Sequence, residues 1–573
     1  MNRIASRFKE TFNREVLQEF RWVFAYILRY KKAVIFYILI GVAGTVMGLA
    51  GSLASKYVID AVTQFNFSLL LTMAVVFTAS GLLSIGLNAW TSRMLAKISL
   101  KVQQEILEDV YCRIMDAKWS ESSKYHSGDL LNRLNGDVSE VSRSVLGWVP
   151  SLVTKTVSFV GSLILILNYD AIMALLALCS APVTLLVSRF LLLKMRRYNQ
   201  RMRQVSSDVM EFTEESFQNM QYIKSFSITG LFRRRLKGVQ KKYYDISMEY
   251  NEFSIKTSTL MSVLSMVVSF VCLGWSVARL WTGHITYGTM TMFLQLSRSL
   301  AADFNALIKL VPSAISAATS AGRIMEVTEL PKETVNRNVV QKLKKEASRG
   351  VYIVLEHIVY SYDGEKTVLT GGSFYASPGE IVAITGASGS GKTTLLRIIL
   401  GLIEIQEGTA FVQTASGFTH SFDASTRTLV SYVPQGNTVF SGTIADNLKM
   451  IVPNATEEEM QKALEIACAW EFVSKLPNGM QCQVGENGKG LSEGQSQRIA
   501  IARAVLQKAP VIVFDEATSA LDERTGRQVI QNIKREYRSC TCILVTHRTS
   551  DLDICSKVYR INQGKMVEIH ENH

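Results

Sequence analysis

Six apolar runs, near 33–54, 69–91, 145–167, 171–193, 258–281 and 287–311, occupy the first half of this chain. Each is about the 20 residues that cross a bilayer core. Wound as a helix, such a run satisfies its own backbone hydrogen bonds and can sit in lipid, where loops and open strand edges cannot. The first, third and fifth runs are clear, and the last is interrupted by Arg298, Asp303 and Lys309. The sequence therefore predicts six membrane-spanning helices. The short segments DAVTQFNFS, NYD and WTGHITY, between alternate spans, contain no lysine or arginine. The other two connections carry Arg93, Lys97, Lys101, Arg196, Arg197, Arg201, Arg203, Arg233, Arg234 and Arg235. By the positive-inside rule both termini lie in the cytoplasm.

Composition supports this division. Hydrophobic residues make up 48% of the 573 positions and mean hydropathy is +0.15, too apolar for a simple soluble enzyme. Much of the net charge of +13 falls at membrane ends and on the long polar connections, so it requires no nucleic acid partner and none is expected. Residues 1–32 lack a hydrophobic region of signal type and include Glu10, Glu15 and Glu19, so neither a cleavable signal nor a mitochondrial presequence is expected. Phe8, Phe12, Val16, Phe20 and Val23 recur at helical spacing there, suited either to the cytoplasmic membrane surface or to packing on the protein itself. The eight cysteines imply no disulfide framework, and Cys540 and Cys542 have no second pair at metal-ligand spacing, so no zinc is expected. The first cysteine is Cys112, and no peptidase domain is expected ahead of the spans.

The second half carries phosphate chemistry. Gly386, Ala387, Ser388, Gly389, Ser390, Gly391, Lys392 and Thr393 follow the apolar run Ile381 to Ile384 and lead through Thr394 into TLLRIILGL. This is the strand, glycine loop and helix order of a P-loop. The glycines let successive NH groups face one anion and the helix start adds positive potential. Lys392 would reach the β and γ phosphates of ATP, and Thr393 would ligate Mg2+. At Val511 to Glu516, VIVFDE ends a strand in two carboxylates, where Asp515 can hold magnesium and Glu516 can polarise the attacking water. LSEGQ, Leu491 to Gln495, lies between these elements, and SALD, Ser519 to Asp522, then CILVT and His547 follow.

In this order the motifs resemble the ATP-binding cassette (ABC) transporter family, and the resemblance covers essentially the whole chain. It implies an exporter-type half-transporter: a membrane α-helical domain of six spans with long cytoplasmic extensions, plus an α/β P-loop ATPase domain. It further implies that Tyr362, in preference to Tyr360, stacks on adenine, that Gln435 in SYVPQ touches magnesium and reports the nucleotide to the membrane part, and that His547 contacts the γ-phosphate. Ser492 and Gly494, with Gln495 and Asp522 beside them, would close over the ATP of a second subunit. The partner would be another half-transporter, in a homodimer or a heterodimer. The third signature position is Glu493, where the family more often has glycine. The expected layout is 1–32 an amphipathic segment, 33–325 the membrane domain, 326–349 a solvated linker and 350–573 the cassette.

Two breaks in the cytoplasmic connections, around Ser127 to Val138 and around Phe226 to Leu236, resemble coupling helices, and GENG, Gly485 to Gly488, resembles the exporter loop before the signature. In the last span Gln295, Arg298, Ala302, Asn305 and Lys309 recur every three or four residues, giving one polar face. With Lys155 of the third span they suggest a basic cavity open to the cytoplasm for anionic or carboxylate-bearing amphiphiles, including peptides; alternatively Arg298 and Lys309 pair with Asp303 or with acids of the other subunit, or lie close enough to the cytoplasmic end to be hydrated. The implied activity is ATP-driven export of a peptide, lipid or amphiphilic small molecule across a bacterial cytoplasmic membrane. An importer on the same scaffold, or an ATP-gated channel or regulator, stays open, because direction is not written in the nucleotide motifs.

Overall fold

The structure is a computed structural model that describes residues 18–19, 21–26, 28–176, 201–202, 205–206, 208–362, 367–436, 438–485 and 490–569. Phe8, Phe12, Val16 and Phe20 of the N-terminal stripe lie outside the described residues, as do most of the fourth run and residues 486–488 of GENG. Contacts divide the chain into two units, one of residues 1–115 with 126–329, the other of 116–125 with 330–573.

The first unit is helical. Its long elements are α1 (Lys31–Thr63), α2 (Phe67–Met115), α4 (Ser127–Asn132), which runs through a π turn at Arg133–Asp137 into α5 (Val138–Leu167), α7 (Thr229–Trp281) and α8 (Tyr287–Thr328). A short α6 (Met220–Ser225) precedes α7, and α3 (Trp119–Ser122) belongs to the second unit. Helices α1, α2 and the stretch Ser127–Leu167 are long and apolar enough to cross a membrane, and α7 carries the apolar stretch Met266–Trp281. At 53 residues α7 is about 80 Å long, far more than a bilayer core, so much of it extends into water. The apolar residues Ile35, Leu39, Leu71, Val75 and Leu82 are exposed, as lipid-facing side chains are. Gly41, Gly44 and Gly51 of α1 let neighbouring helices approach. An added Cβ would lie 2.9 Å from Thr154, 3.4 Å from Asn88 and 3.2 Å from Ser80.

Buried charges hold the bundle together at both ends. At the ends of the spans joined by the short connections, Asp170 pairs with Arg279 at 2.7 Å, Lys56 donates to the Tyr169 hydroxyl at 3.0 Å, and Asp60 accepts from the Gly288 NH and the Thr286 hydroxyl, each at 2.8 Å. At the other end Arg133 bridges Asp129 and Glu326, and Arg323 bridges Asp129 and Asp137. Removing one member of such a network would strand its partner, so truncation at these positions is expected to be destabilising.

The second unit contains two main sheets. An antiparallel sheet has the order β2 (Thr367–Ala376), β1 (Val351–Ser361), β4 (Glu407–Thr414), β5 (Thr419–Ser421). The larger sheet runs β12 (Lys565–Ile569), β11 (Lys557–Asn562), β3 (Ile381–Gly386), β10 (Thr541–Val545), β9 (Val511–Asp515), β6 (Val430–Val433), parallel except for β12. A two-stranded ribbon, β7 (Gly442–Thr443) with β8 (Gln483–Val484), completes the strands. β9 and β10 are buried along their whole length, as parallel strands covered on both faces must be.

Two expectations are corrected. The stretch read as a solvated linker contains α9 (Arg337–Glu346), whose Leu343 is fully buried with the core residues of β1 and β3. Asn336 caps it, and Glu333 just before it forms a two-pronged pair with Arg427. The first break, read as WSESSKYHSGDLLNRLNGDV and centred around Ser127 to Val138, falls at the start of that segment, at residues 116–126. The Ala117 bridge to Lys332 and the Lys118 NH bond to the Pro331 carbonyl, 2.8 Å, draw this segment into the second unit. Residues 127–137 instead begin the returning helix.

Candidate functional site

Register places the chemistry at one edge. Ile384 of β3 and Asp515 of β9 both pair with Val545 of β10, and β6 lies on the far side of β9. The P-loop, His547, Glu516 and Gln435 therefore all leave from carboxyl ends of adjacent parallel strands, where open α/β sheets bind ligands.

The P-loop is set for a polyanion. Gly389 and Gly391 have φ +76° and +110°, and Gly391 opens α10 (Lys392–Ile399). An added Cβ at Gly391 would lie 2.9 Å from Leu369 and 3.2 Å from the Val368 carbonyl, so a larger residue is excluded on two grounds. Lys392 is buried, with Nζ donating to the carbonyls of Gly386 at 2.7 Å and Ala387 at 3.1 Å, which aims the ammonium along the loop. Ala387, Ser388, Gly389 and Thr393 are exposed, while Ser390 Oγ is buried without a partner. That orphaned hydroxyl beside open backbone NH groups fits a phosphate, since buried polar atoms are otherwise satisfied.

Asp515 is buried and accepts from the Tyr432 hydroxyl at 2.9 Å. Burial pushes its carboxyl above the usual carboxylate range, reinforced by Glu516 and opposed by the Tyr432 hydrogen bond, Lys392 and Arg397. A divalent cation would reverse that cost, and Asp515 with Thr393 and Gln435 offers it oxygen ligands. Glu516 is left-handed at φ +52°, a sparsely populated conformation for a non-glycine residue. Its NH is tied to the Val545 carbonyl at 3.0 Å, and Ser519 caps its carbonyl. The carboxylate accepts from Gln435 Nε2 at 2.7 Å and sits 3.2 Å from His547 Nε2. Three residues singled out separately in the sequence thus meet, with a carboxylate at the centre. That arrangement can take a proton from water while its own charge is held in place.

The signature segment starts a helix. Ser492 caps α11 (Glu493–Leu506), accepting from the Gln495 NH at 3.3 Å, while the Gln495 side chain accepts from the Ser492 NH at 2.9 Å. Such a box contributes about 1 kcal/mol and exposes the helix start. Glu493 is exposed in the first turn, where a carboxylate favours the helix dipole. Gly494 has no room for growth, since an added Cβ would lie 3.0 Å from the Ala520 carbonyl. Asp522 caps α12 (Glu523–Glu536) through the Thr525 NH, and those hydrogen bonds hold its carboxyl below the usual range.

Of the two tyrosines on β1 and its edge, Tyr360 is buried and Tyr362 is 44% exposed, with the rings edge to face at 5.0 Å. The Tyr362 hydroxyl accepts from Arg397 at 2.7 Å and lies 3.2 Å from Thr394 Oγ1. Arg397 also lies 4.5 Å over the Trp119 ring. Arg397, Trp119 and Tyr432 were not singled out in the sequence. The one available signal was the aromatic residue at a break between helices.

In the membrane unit, Lys155 and Gln295 line a cavity of about 420 Å³. Lys155 forms an ion pair with the buried Asp303 at 2.9 Å, so it does not supply the uncompensated positive charge that a basic cavity requires. Arg298 is exposed and outside the cavity wall, Asn305 is half-buried, and the side chain of Lys309 lies outside the described residues.

The profile of the ABC transporter transmembrane region matches residues 34–302, and that described as ABC transporter matches 369–519. An ATP-dependent lipid A-core flippase of Shewanella denitrificans is 27% identical over 500 residues, 86% of this chain and 81% of that protein. An uncharacterized ABC transporter ATP-binding protein of Bacillus subtilis, YknV, is 25% identical over 578 residues, covering 99% and 94%. A bacterial Atm1-family ABC exporter, solved with ATP bound, superposes with a TM-score of 0.80 at 20% identity and covers 94% of each chain, a likeness of fold.

Proposed function

Because this chain belongs to the ABC transporter family, with a transmembrane region and an ABC transporter region in one chain, we propose that it is an exporter-type half-transporter that couples ATP hydrolysis to export of an amphiphile. The observation that carries this reading is the Gln435–Glu516–His547 cluster beside the P-loop, in a chain with membrane-length helices. Lys392 and the loop NH groups bind phosphate, Thr393, Asp515 and Gln435 would hold Mg2+, and Glu516 takes the proton of the attacking water while His547 faces the γ-phosphate. Magnesium would neutralise the phosphate oxygens as charge moves to the leaving group. Tyr362 is the platform for adenine. ATP-dependent accumulation of an amphiphile in inside-out vesicles, lost in Glu516→Gln, tests the reading. Accumulation unchanged in that variant would end it.

The exporter fold implies a dimer, and the exposed Ser492–Gly494 helix start is the surface we assign to the second subunit's ATP, with both termini and cassettes in the cytoplasm. The sequence leaves open whether the partner is identical. Mass measurement in nanodiscs should give two chains. Mixing Ser492→Ala with Lys392→Ala subunits should restore part of the activity that each lacks alone, because one composite site is then intact. Full ATPase activity of a monomer would refute this.

Arg397 should hold the Tyr362 ring. Arg397→Gln is expected to raise KM for ATP about three- to tenfold and change kcat less, on the scale of a cation–π contact and one hydrogen bond. An unchanged KM would detach Arg397 from base recognition.

A further inference from the structure

The cavity of about 420 Å³ between α1, α2, α5 and α8 has a chemical bias that the sequence pattern concealed. Its wall is rich in hydroxyls, and six of the nine have already spent their hydrogens. Thr45 donates to the Gly41 carbonyl at 2.9 Å, Ser52 to Gly48 at 3.2 Å, Ser84 to Gly44 at 3.2 Å, Thr91 to Leu87 at 2.6 Å and Thr154 to Pro150 at 2.9 Å. Ser299 likewise points its hydrogen at Asp303, 3.4 Å away. A hydroxyl has one hydrogen and two lone pairs. Each of these six therefore faces the cavity as an acceptor, while Tyr37, Ser151 and Ser158 are the wall hydroxyls that can still donate.

The charge balance narrows the occupant further. Among the described residues Lys155 is the one cation in the wall, and Asp303 neutralises it. A phosphate or carboxylate head group would meet mostly lone pairs and, among the described residues, no free cation to balance its charge. An ammonium head group would meet acceptors but bring a charge that nothing in the wall compensates, a costly burial at membrane depth. An uncharged group rich in hydroxyls satisfies both conditions, donating to the threonines and serines and accepting from the amides of Asn88 and Gln295. The volume lies in the range of small-molecule sites.

We propose that this cavity is the head-group site of the transported amphiphile and that it takes an uncharged polyhydroxylated head, such as that of a glycolipid, over an anionic or cationic one. The proposal rests on the export reading above and adds the substrate class to it.

The test uses the full-length protein in nanodiscs with three probes that share a dodecyl tail: dodecyl maltoside, dodecyl phosphate and dodecylamine, each below the concentration that disrupts the disc. Dodecyl maltoside should stimulate ATP hydrolysis saturably, and the other two should do so at least tenfold less effectively. Thr91→Val and Thr154→Val keep shape and remove the acceptor, so together they should raise the half-maximal maltoside concentration roughly tenfold. Thr72→Val removes the same kind of back-bonded hydroxyl on exposed α2 surface outside the cavity and should leave the response unchanged. If the double variant fails to fold, Ser84→Ala replaces it, with a shift of about threefold. Stimulation by dodecyl phosphate or dodecylamine equal to or above that by the maltoside, or a maltoside response unmoved by the cavity variants, overturns the head-group assignment. Glu516-dependent accumulation of some other amphiphile in that case leaves the export reading standing, whereas absence of ATP hydrolysis removes both.

Discussion

Glu516→Gln should bind ATP with near wild-type affinity and hydrolyse it about 10² to 10⁴ times more slowly, the usual scale of a lost general base. The substitution keeps the size of the side chain and leaves Asp515 and the P-loop untouched. It exchanges an acceptor that holds Gln435 at 2.7 Å and His547 at 3.2 Å for an amide that cannot take a proton. The left-handed backbone at 516 is fixed by the Val545 and Ser519 bonds rather than by the carboxylate, so the position of the side chain survives the change. Nucleotide binding by equilibrium titration and phosphate release in the same preparation read the two effects separately. A hydrolysis rate within a few-fold of wild type would remove Glu516 from the mechanism.

The nucleotide side was legible in sequence because its chemistry is local. GASGSGKT must follow a strand and open a helix, and FDE must end a strand, so short windows name the residues. Only the register of β3, β10, β9 and β6 then decides whether they meet. Tyr432 and Arg397 were missed because their roles depend on partners 83 and 35 positions away, and neither sits in a motif with a chemical signature of its own. The linker failed for a different reason. Its charge pattern is that of a solvated run, but one residue in it, Leu343, is fully buried and fixes α9 to the core. In the membrane, the polar face of the last span was read as a periodicity, and periodicity carries no information on pairing. Lys155 was read toward a basic cavity because its partner Asp303 is 148 residues away.

Lys392→Ala should show the opposite signature to Glu516→Gln, with loss of binding and no separate loss of chemistry. Lys392 is buried with its ammonium held by two loop carbonyls, so the charge is oriented before nucleotide arrives and little side-chain entropy remains to be lost on binding. A hydrogen bond between charged groups contributes about 1.5 to 3 kcal/mol, so removal should weaken ATP binding roughly 100-fold, or about 2.7 kcal/mol. The alanine also leaves the Gly386 and Ala387 carbonyls without their donor, and the loop should loosen. Lys392→Arg separates charge from fit: it restores the charge on a planar head that cannot make the same pair of carbonyl bonds, so it should recover only part of the affinity. Circular dichroism confirms folding of each variant, and titration with a non-hydrolysable ATP analogue reads affinity without turnover. ATP affinity within threefold of wild type in a folded Lys392→Ala protein would mean that the loop NH groups and the helix start hold the triphosphate without the lysine.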